Sequence, residues 1–373
     1  MEDRRIRVAI THGDTNGIGY ELIFKTFSAP EMLELCTPII YGSPKVAAYH
    51  RNALGIEANF SIIADAEQAR DGHVNLLTSF EEDVKVELGQ ATPESGEAAL
   101  KALDRALTDY RAGLFDVLVT APLNPKNINV KGFEFKGQPQ YIENCLGEGR
   151  EGLTILLNER FRVGFITDDM PLKEVASSIT AENIIDKCTI FFNALKRDFS
   201  LSNPRIAVLS LNPGYTPGAS VGKEETEILI PAISQLADKG IQAFGPYDAE
   251  RFFGNMEYEA FDGVVAMYHD QGMVPFMALT PGEGVRYLAG LPVVYAAPTN
   301  GVSYDQAGKN TVDETSFRHS IYCAIDAFRH REAYDEPMGN PLKKLYHEKR
   351  DESEKVRFSI PKKHENSIKE KQA

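Results

Sequence analysis

The chain has 373 residues, 43% of them hydrophobic and 25% charged, which is enough for two packed units or one large one and unlike a disordered or fibrous chain. Its 40 Lys and Arg against 54 Asp and Glu leave a formal charge of -14. That balance argues against wholesale binding to nucleic acid, yet a few placed Arg, Lys and backbone N–H groups can still hold an anionic metabolite.

The N-terminus, "MEDRRIRVAITHG", passes from a charged start directly into a strand without the apolar core of a signal peptide. No later segment reaches the roughly 20 apolar residues needed to span a bilayer. The expectation is a cytoplasmic protein with no membrane and no nucleic-acid partner. The first strand, in "RIRVAIT", leads into "THGDTNGIG", a tight glycine turn ahead of the helical "YELIFKTF". Gly13, Gly17 and Gly19 let the backbone approach a ligand or adopt positive φ, and the helix N-terminus offers unpaired N–H groups. The spacing is not GxGxxG, and no acidic residue follows a second strand at the required distance, so this is not a Rossmann fingerprint.

Further apolar runs follow in "TPIIYG", "HVNLLT", "FDVLVTAP", "FRVGFIT", "RIAVLSLNPG", "FDGVVAMYH" and "LPVVYAAPT". Several are continuous rather than alternating, which suits strands buried on both faces, and helical patterns lie between many of them. The clearest helix is "SGEAALKALDRALTDYRAG", with Ser95 as N-cap and Gly113 as C-terminal stop. This alternation predicts an α/β fold with a mostly parallel sheet. The turns "THGDTNGIG", "TAPLNPK" and "LNPGYTPGASVGKEE" each end a strand, where parallel α/β sheets bind ligands, so they are expected to wall a cleft. The run "FDGVVAMYHDQG" ends in two ionisable side chains, His269 and Asp270. Cys36, Cys145, Cys188 and Cys323 are scattered, with no CxxC pair, and read as reduced packing residues. The tail 341–373, with 10 Lys and Arg against 6 Asp and Glu and little apolar periodicity, reads as a solvated extension.

Taken together, "ITHGDTNGIGYE", "TAPLNPKNINVKGFEFKG", "AMYHDQG", "GLPVV" and "GVSYDQAGKN" resemble, in order and approximate spacing, the 4-hydroxythreonine-4-phosphate dehydrogenase family of vitamin B6 synthesis, over about residues 5–330. The resemblance implies the isocitrate and isopropylmalate dehydrogenase type of fold, with two α/β subdomains sharing a central mixed, mostly parallel sheet. Residues 1–124 with 298–340 would form the first subdomain and 125–297 the second. It implies a homodimer that completes the active site, and NAD as hydride acceptor, held by the segment matching "TNGVSYDQAGKN". Asn300, Gly301, Asp305 and Gly308 are its expected contacts, with Gly13 and Asp14 from the glycine turn. The implied reaction oxidises a secondary alcohol and then decarboxylates the 3-oxo acid, with a divalent cation on the hydroxyl oxygen.

The family's usual cation ligands are three histidines, and His269 matches one of them. Asp169 and Gly214 stand where the other two would be. A family GHTE segment reads "GQPQ" here, placing Gln138 and Pro139 at its His and Thr. A family Lys falls on Met277, an Asn on Arg286 and an Arg on Tyr295, and the cofactor segment carries Thr299, Asn300, Gly301 and Val302. One reading keeps the reaction with a redrawn site. His269, Asp270 and Asp169 act in catalysis, and His269, Asp169, Asp270 and Glu250 hold a cation shifted from zinc toward magnesium or manganese. Arg286, Gln138, Asn129 and Lys126 bind the small phosphorylated hydroxy amino acid. The alternatives are a dehydrogenase of a related phosphorylated hydroxy acid, such as a threonate or erythronate phosphate, and a non-catalytic relative that binds a nucleotide or phosphate.

Overall fold

Uncharged runs of Val, Ile, Leu and Ala form strands here because branched and small apolar side chains fit a pleated surface covered on both faces. The computed structural model describes residues 5–80, 83–128, 134–218 and 221–339; Asn129 and the charged tail 341–373 lie outside them. The strands are β1 (Ile6–Thr11), β2 (Cys36–Gly42), β3 (Ser61–Ile63), β4 (Asn75–Thr78), β5 (Val117–Thr120), β6 (Leu153–Leu157), β7 (Arg162–Phe165), β8 (Ile206–Leu209), β9 (Ala243–Tyr247), β10 (Gly263–Ala266), β11 (Val285–Ala289) and β12 (Val294–Pro298). Among the described residues they make one 12-stranded sheet in the order β3-β4-β2-β1-β5-β12-β11-β6-β7-β10-β8-β9.

Only the ladders β12–β11, β11–β6 and β6–β7 are antiparallel among the described residues; the others are parallel. The mixed, mostly parallel α/β sheet expected from the sequence is present. Three successive antiparallel ladders reverse the direction of the sheet, so β1, β5 and β12 run one way and β7, β10 and β8 the other. Each trio of neighbours therefore brings the turns that follow its strands close together.

The helix Pro93–Arg111 starts earlier than its sequence suggested. Thr92, not Ser95, is the N-cap: its hydroxyl accepts the Ser95 amide at 3.3 Å, and the Ser95 hydroxyl donates back to the Thr92 carbonyl at 2.9 Å. Pro93 occupies the first turn, where its fixed φ and missing N–H cost nothing. Gly113, at φ +71°, stands just beyond the end as expected.

Helices cover both faces. Leu153, Ile155 and Leu157 of β6 pack in one apolar cluster with Ile184, Cys188 and Phe191 of the helix Ala181–Arg197 and with Phe317 and Ile321 of the helix Thr315–Gly339. Leu156 faces the other way, in a cluster with Phe165, Phe252 and Phe276. The last helix is also tied by charge. Arg331, almost fully buried, donates from Nε and Nη2 to the Asp198 carboxylate at 2.7 and 3.1 Å, and from Nη1 to the Leu291 and Pro292 carbonyls. The Tyr287 hydroxyl completes this network with a 2.9 Å bond to Asp198. All four cysteines are free thiols; Cys36 and Cys188 are buried, and burial pushes both thiols up to about 12. The described residues up to Asp335 belong to one compact unit. Among the described residues no helix is long and apolar enough to cross a membrane.

Candidate active site

The turns after β1, β5 and β12 meet because these strands are neighbours in the sheet. Gly13 sits at φ +71°, and a Cβ there would overlap the Pro122 carbonyl oxygen, so only glycine allows the two turns to touch. The Asp14 amide donates to that oxygen at 2.9 Å. Its buried carboxylate takes the Asn16 amide at 2.8 Å, the Asn127 side-chain amide at 2.8 Å and the Tyr304 hydroxyl at 2.7 Å. Asp14 thus ties together all three turns, including the segment expected to hold the cofactor.

That segment also closes over the helix Gly19–Phe27. The Ile18 amide donates to the Val302 carbonyl at 3.3 Å, and a Cβ on Gly17 would strike the Val302 side chain. Part of the expected open helix N-terminus is therefore filled by the chain itself. Gly308, at φ +75°, packs against Leu88, whereas Gly301 and Asp305 are exposed. Asn300 is half-buried, and its Oδ1 is shut away from solvent with no hydrogen-bond donor.

His12, which the sequence reading did not single out, lies fully buried beneath this turn. Its ring stacks on Tyr20 at 5.2 Å and 9°, and neither ring nitrogen has a hydrogen-bond partner. Burial holds its pKa down to about 3, with the nearby Gly13 backbone acting against the shift and His50 adding to it. His50 is likewise lowered by burial, and its Nε2 lies 2.7 Å from the Thr15 carbonyl oxygen.

A second group forms where β7 and β10 run side by side, with Phe165 opposite Ala266. His269 is not at the strand end but is the first residue of the helix His269–Leu279. It lines a small cavity of about 70 Å³ together with Lys136, Asp168, Asp169 and Arg286. The His269 ring stacks on Phe165 at 5.8 Å, and its Nδ1 lies 2.9 Å from Oδ1 of Asp270, whose side chain is 79% exposed. With the proton on Nδ1 and donated to that carboxylate, Nε2 is left as a free acceptor. Arg286 enters from β11 with a buried Nε that has no partner. Lys136, also missed in the sequence, donates from its ammonium to the Asp169 carbonyl and so joins two walls of the cavity. Asp168 and Asp169 continue into a larger chamber of about 350 Å³.

The other candidates lie apart from this cavity. Gln138 is buried with its amide engaged: Oε1 accepts from the Thr120 hydroxyl and, at 3.1 Å, from Tyr295, and Nε2 donates to the Ala121 carbonyl at 2.9 Å. Burial pushes the Tyr295 phenol up to about 12. Lys126 is exposed on the turn Pro125–Asn127. Glu250 is exposed on the helix Ala249–Gly254, and the Gly214 amide donates to Asp248 at 2.7 Å. Neither Glu250 nor Asp270 walls the cavity. Among the described residues, no three His, Cys, Asp or Glu side chains gather as a metal site within the single chain.

The chain is similar to known proteins over most of its length. The profile of the family described as "Pyridoxal phosphate biosynthetic protein PdxA" matches residues 34–324. A curated 4-hydroxythreonine-4-phosphate dehydrogenase from Bacteroides thetaiotaomicron is 52% identical over 358 residues, 96% of this chain and 98% of that protein. One from a Sulfurihydrogenibium species is 32% identical over 86% of this chain and 98% of its own. The crystal structure of 4-hydroxythreonine-4-phosphate dehydrogenase from Klebsiella pneumoniae superposes with a TM-score of 0.74 at 25% identity, covering 88% of this chain and 99% of that one. With a family profile across most of the chain and relatives that align almost end to end, the chain belongs to the PdxA family of pyridoxal phosphate biosynthetic proteins.

Proposed function

We propose that the protein is an NAD-dependent dehydrogenase of the cytoplasm that oxidises and decarboxylates 4-hydroxythreonine 4-phosphate to 3-amino-2-oxopropyl phosphate. The observation that carries this reading is the convergence of His269 and Arg286 on one cavity, in a chain 52% identical to a protein named for that substrate. The Arg286 guanidinium, with its unpartnered Nε, offers a fork suited to the phosphate, and Lys136 adds a second positive charge beside it. His269, oriented by Asp270, takes the proton of the secondary hydroxyl. A bound NAD would supply the hydride acceptor for the carbon that bears this hydroxyl, with Asn300 and Asp305 among the residues that would hold it. The resulting 3-oxo acid loses carbon dioxide, and the enolate left behind takes a proton to give the aminoketone.

The exposed edge of the segment 300–308 suits the cofactor: the orphaned Asn300 Oδ1 would meet an N–H or O–H donor, and the Asp305 carboxylate a pair of ribose hydroxyls. Among the described residues of one chain the protein donors for a divalent cation are few, since Gly214 has no side chain and Glu250 lies outside the cavity. A cation at Asp169 and His269 would take its remaining ligands from substrate, water or a second copy of the chain. A homodimer is supported by the helix that begins at His269, which leaves Val274 63%, Met277 42% and Leu279 42% exposed beside the site.

The test is stoichiometry. Purified protein given 4-hydroxythreonine 4-phosphate and NAD is expected to release NADH and carbon dioxide in equal amounts. NADH without carbon dioxide would leave a simple dehydrogenase, and NADH from threonate or erythronate phosphate alone would reassign the substrate.

A further inference from the structure

Behind the catalytic cavity, on the opposite face of the sheet, lies a second cavity of about 390 Å³ between the β6–β7 turn and the helix Thr315–Gly339. The two cavities share strands. Leu156 and Arg286, paired across β6 and β11, line the first; their neighbours Leu157 and Val285, also paired, line the second. In this second space lies Arg162. Its Nε is buried without a partner, and the side chain's single hydrogen bond among the described residues is a long one, from Nη1 to the Asp262 carbonyl at 3.4 Å. No carboxylate lies within ion-pair distance of it among the described residues, and its guanidinium stacks on the Phe199 ring at 5.2 Å. Burial lowers its pKa, which Asp262 and Cys323 only partly oppose.

Arg162 is half-buried, and a guanidinium partly desolvated without an ion-pair partner favours an added negative charge. Arg331, which is more deeply buried than Arg162, has its carboxylate in Asp198. We propose that the Arg162 cavity binds a small monocarboxylate, taken side-on by Nε and the free Nη2 edge, with its apolar part against Phe199 and Tyr322. The rim fixes the charge of the ligand. Glu159, Glu283 and Asp326 stand exposed around the opening, while Asp198 is already neutralised by Arg331. A single negative charge can pass that rim to reach Arg162, whereas a phosphate monoester or a tricarboxylate meets added repulsion.

Benzoate is the probe, with inorganic phosphate and citrate as controls at matched ionic strength. Isothermal titration with the full chain is expected to show benzoate binding, at least tenfold weaker binding of phosphate and citrate, and at least a tenfold loss of benzoate affinity in Arg162→Met. His319→Trp fills the cavity while keeping Arg162, and is expected to lose benzoate binding with its circular dichroism unchanged. The proposal is overturned if wild-type protein binds no benzoate, if Arg162→Met or His319→Trp binds it as well as wild type, or if phosphate binds equally well. A shift of Arg162→Met from dimer to monomer in sedimentation, with benzoate binding intact, would also overturn it and assign Arg162 to an interface between copies.

Discussion

His269 illustrates how the neighbours of one side chain set its chemistry. Nothing about a His-Asp dipeptide is specific, but here the ring stacks on Phe165, bonds Asp270 and faces a cavity that also holds Arg286. His269→Ala is expected to lower kcat by about 10²- to 10⁴-fold, the usual worth of a positioned base, with the circular dichroism spectrum retained; near-normal turnover would remove it from the chemistry. Arg286→Met is expected to raise KM for the phosphorylated substrate by roughly tenfold or more, since a charge-assisted hydrogen bond contributes about 1.5–3 kcal/mol, and Arg286→Lys should recover part of that. His12 makes a different prediction. Its folded pKa of about 3 lies below the unfolded value of 6.5, so the unfolded chain binds more protons between these limits. The stability it contributes is fully present above pH 6.5 and is lost as pH falls toward 3. Urea titrations of wild type and His12→Phe at pH 7 and pH 4.5 should show the wild type losing on the order of a few kcal/mol more than the variant; equal losses would mean His12 is not held neutral.

At the level of elements, the glycine turn, the turn after β5 and the segment 300–308 behave as one assembly pinned by Asp14. Asp14→Ala leaves the buried Asn127 amide and the Tyr304 hydroxyl without this acceptor, at about 1–3 kcal/mol each, and is expected to weaken NAD binding as well as stability. How much of this was legible depended on the kind of residue. The continuous runs that became β1, β2, β4, β5, β7, β8, β10 and β12 declared themselves by apolar content. β3 is three residues long, and β9 carries Gly245 and Pro246, so neither stands out from loop. β11 hides because it contains Arg286, whose charge is tolerated only where the strand meets a cavity. Of the two candidates that line the cavity, His269 is legible from the segment "AMYHDQG", whereas Arg286 is reached only by its distance along the chain from His269. The commitment of Gln138 to Thr120, Tyr295 and Ala121, and the bond from Lys136 to Asp169, depend on segments far apart in the chain and left no local signal.

For the whole molecule, the sheet and its last helix are locked by a buried charge network and by apolar packing on both faces. Arg331→Met would strand the Asp198 carboxylate in the interior and is expected to cost about 3–5 kcal/mol, read as a lower denaturation midpoint with the slope unchanged. The exposed Val274, Met277 and Leu279 lie on the helix that starts with His269, so association and activity should fall together. Val274→Glu is expected to shift the protein from dimer to monomer in sedimentation and to reduce turnover in step; a monomeric variant of full activity would mean that one chain holds a complete site. The most direct measurement follows NADH formation by chelator-treated protein with 4-hydroxythreonine 4-phosphate and NAD, before and after adding magnesium, manganese or zinc, with His269→Ala alongside. The expected result is substrate-dependent NADH that His269→Ala abolishes. No NADH under any of these conditions from correctly folded wild-type protein would contradict the proposed activity.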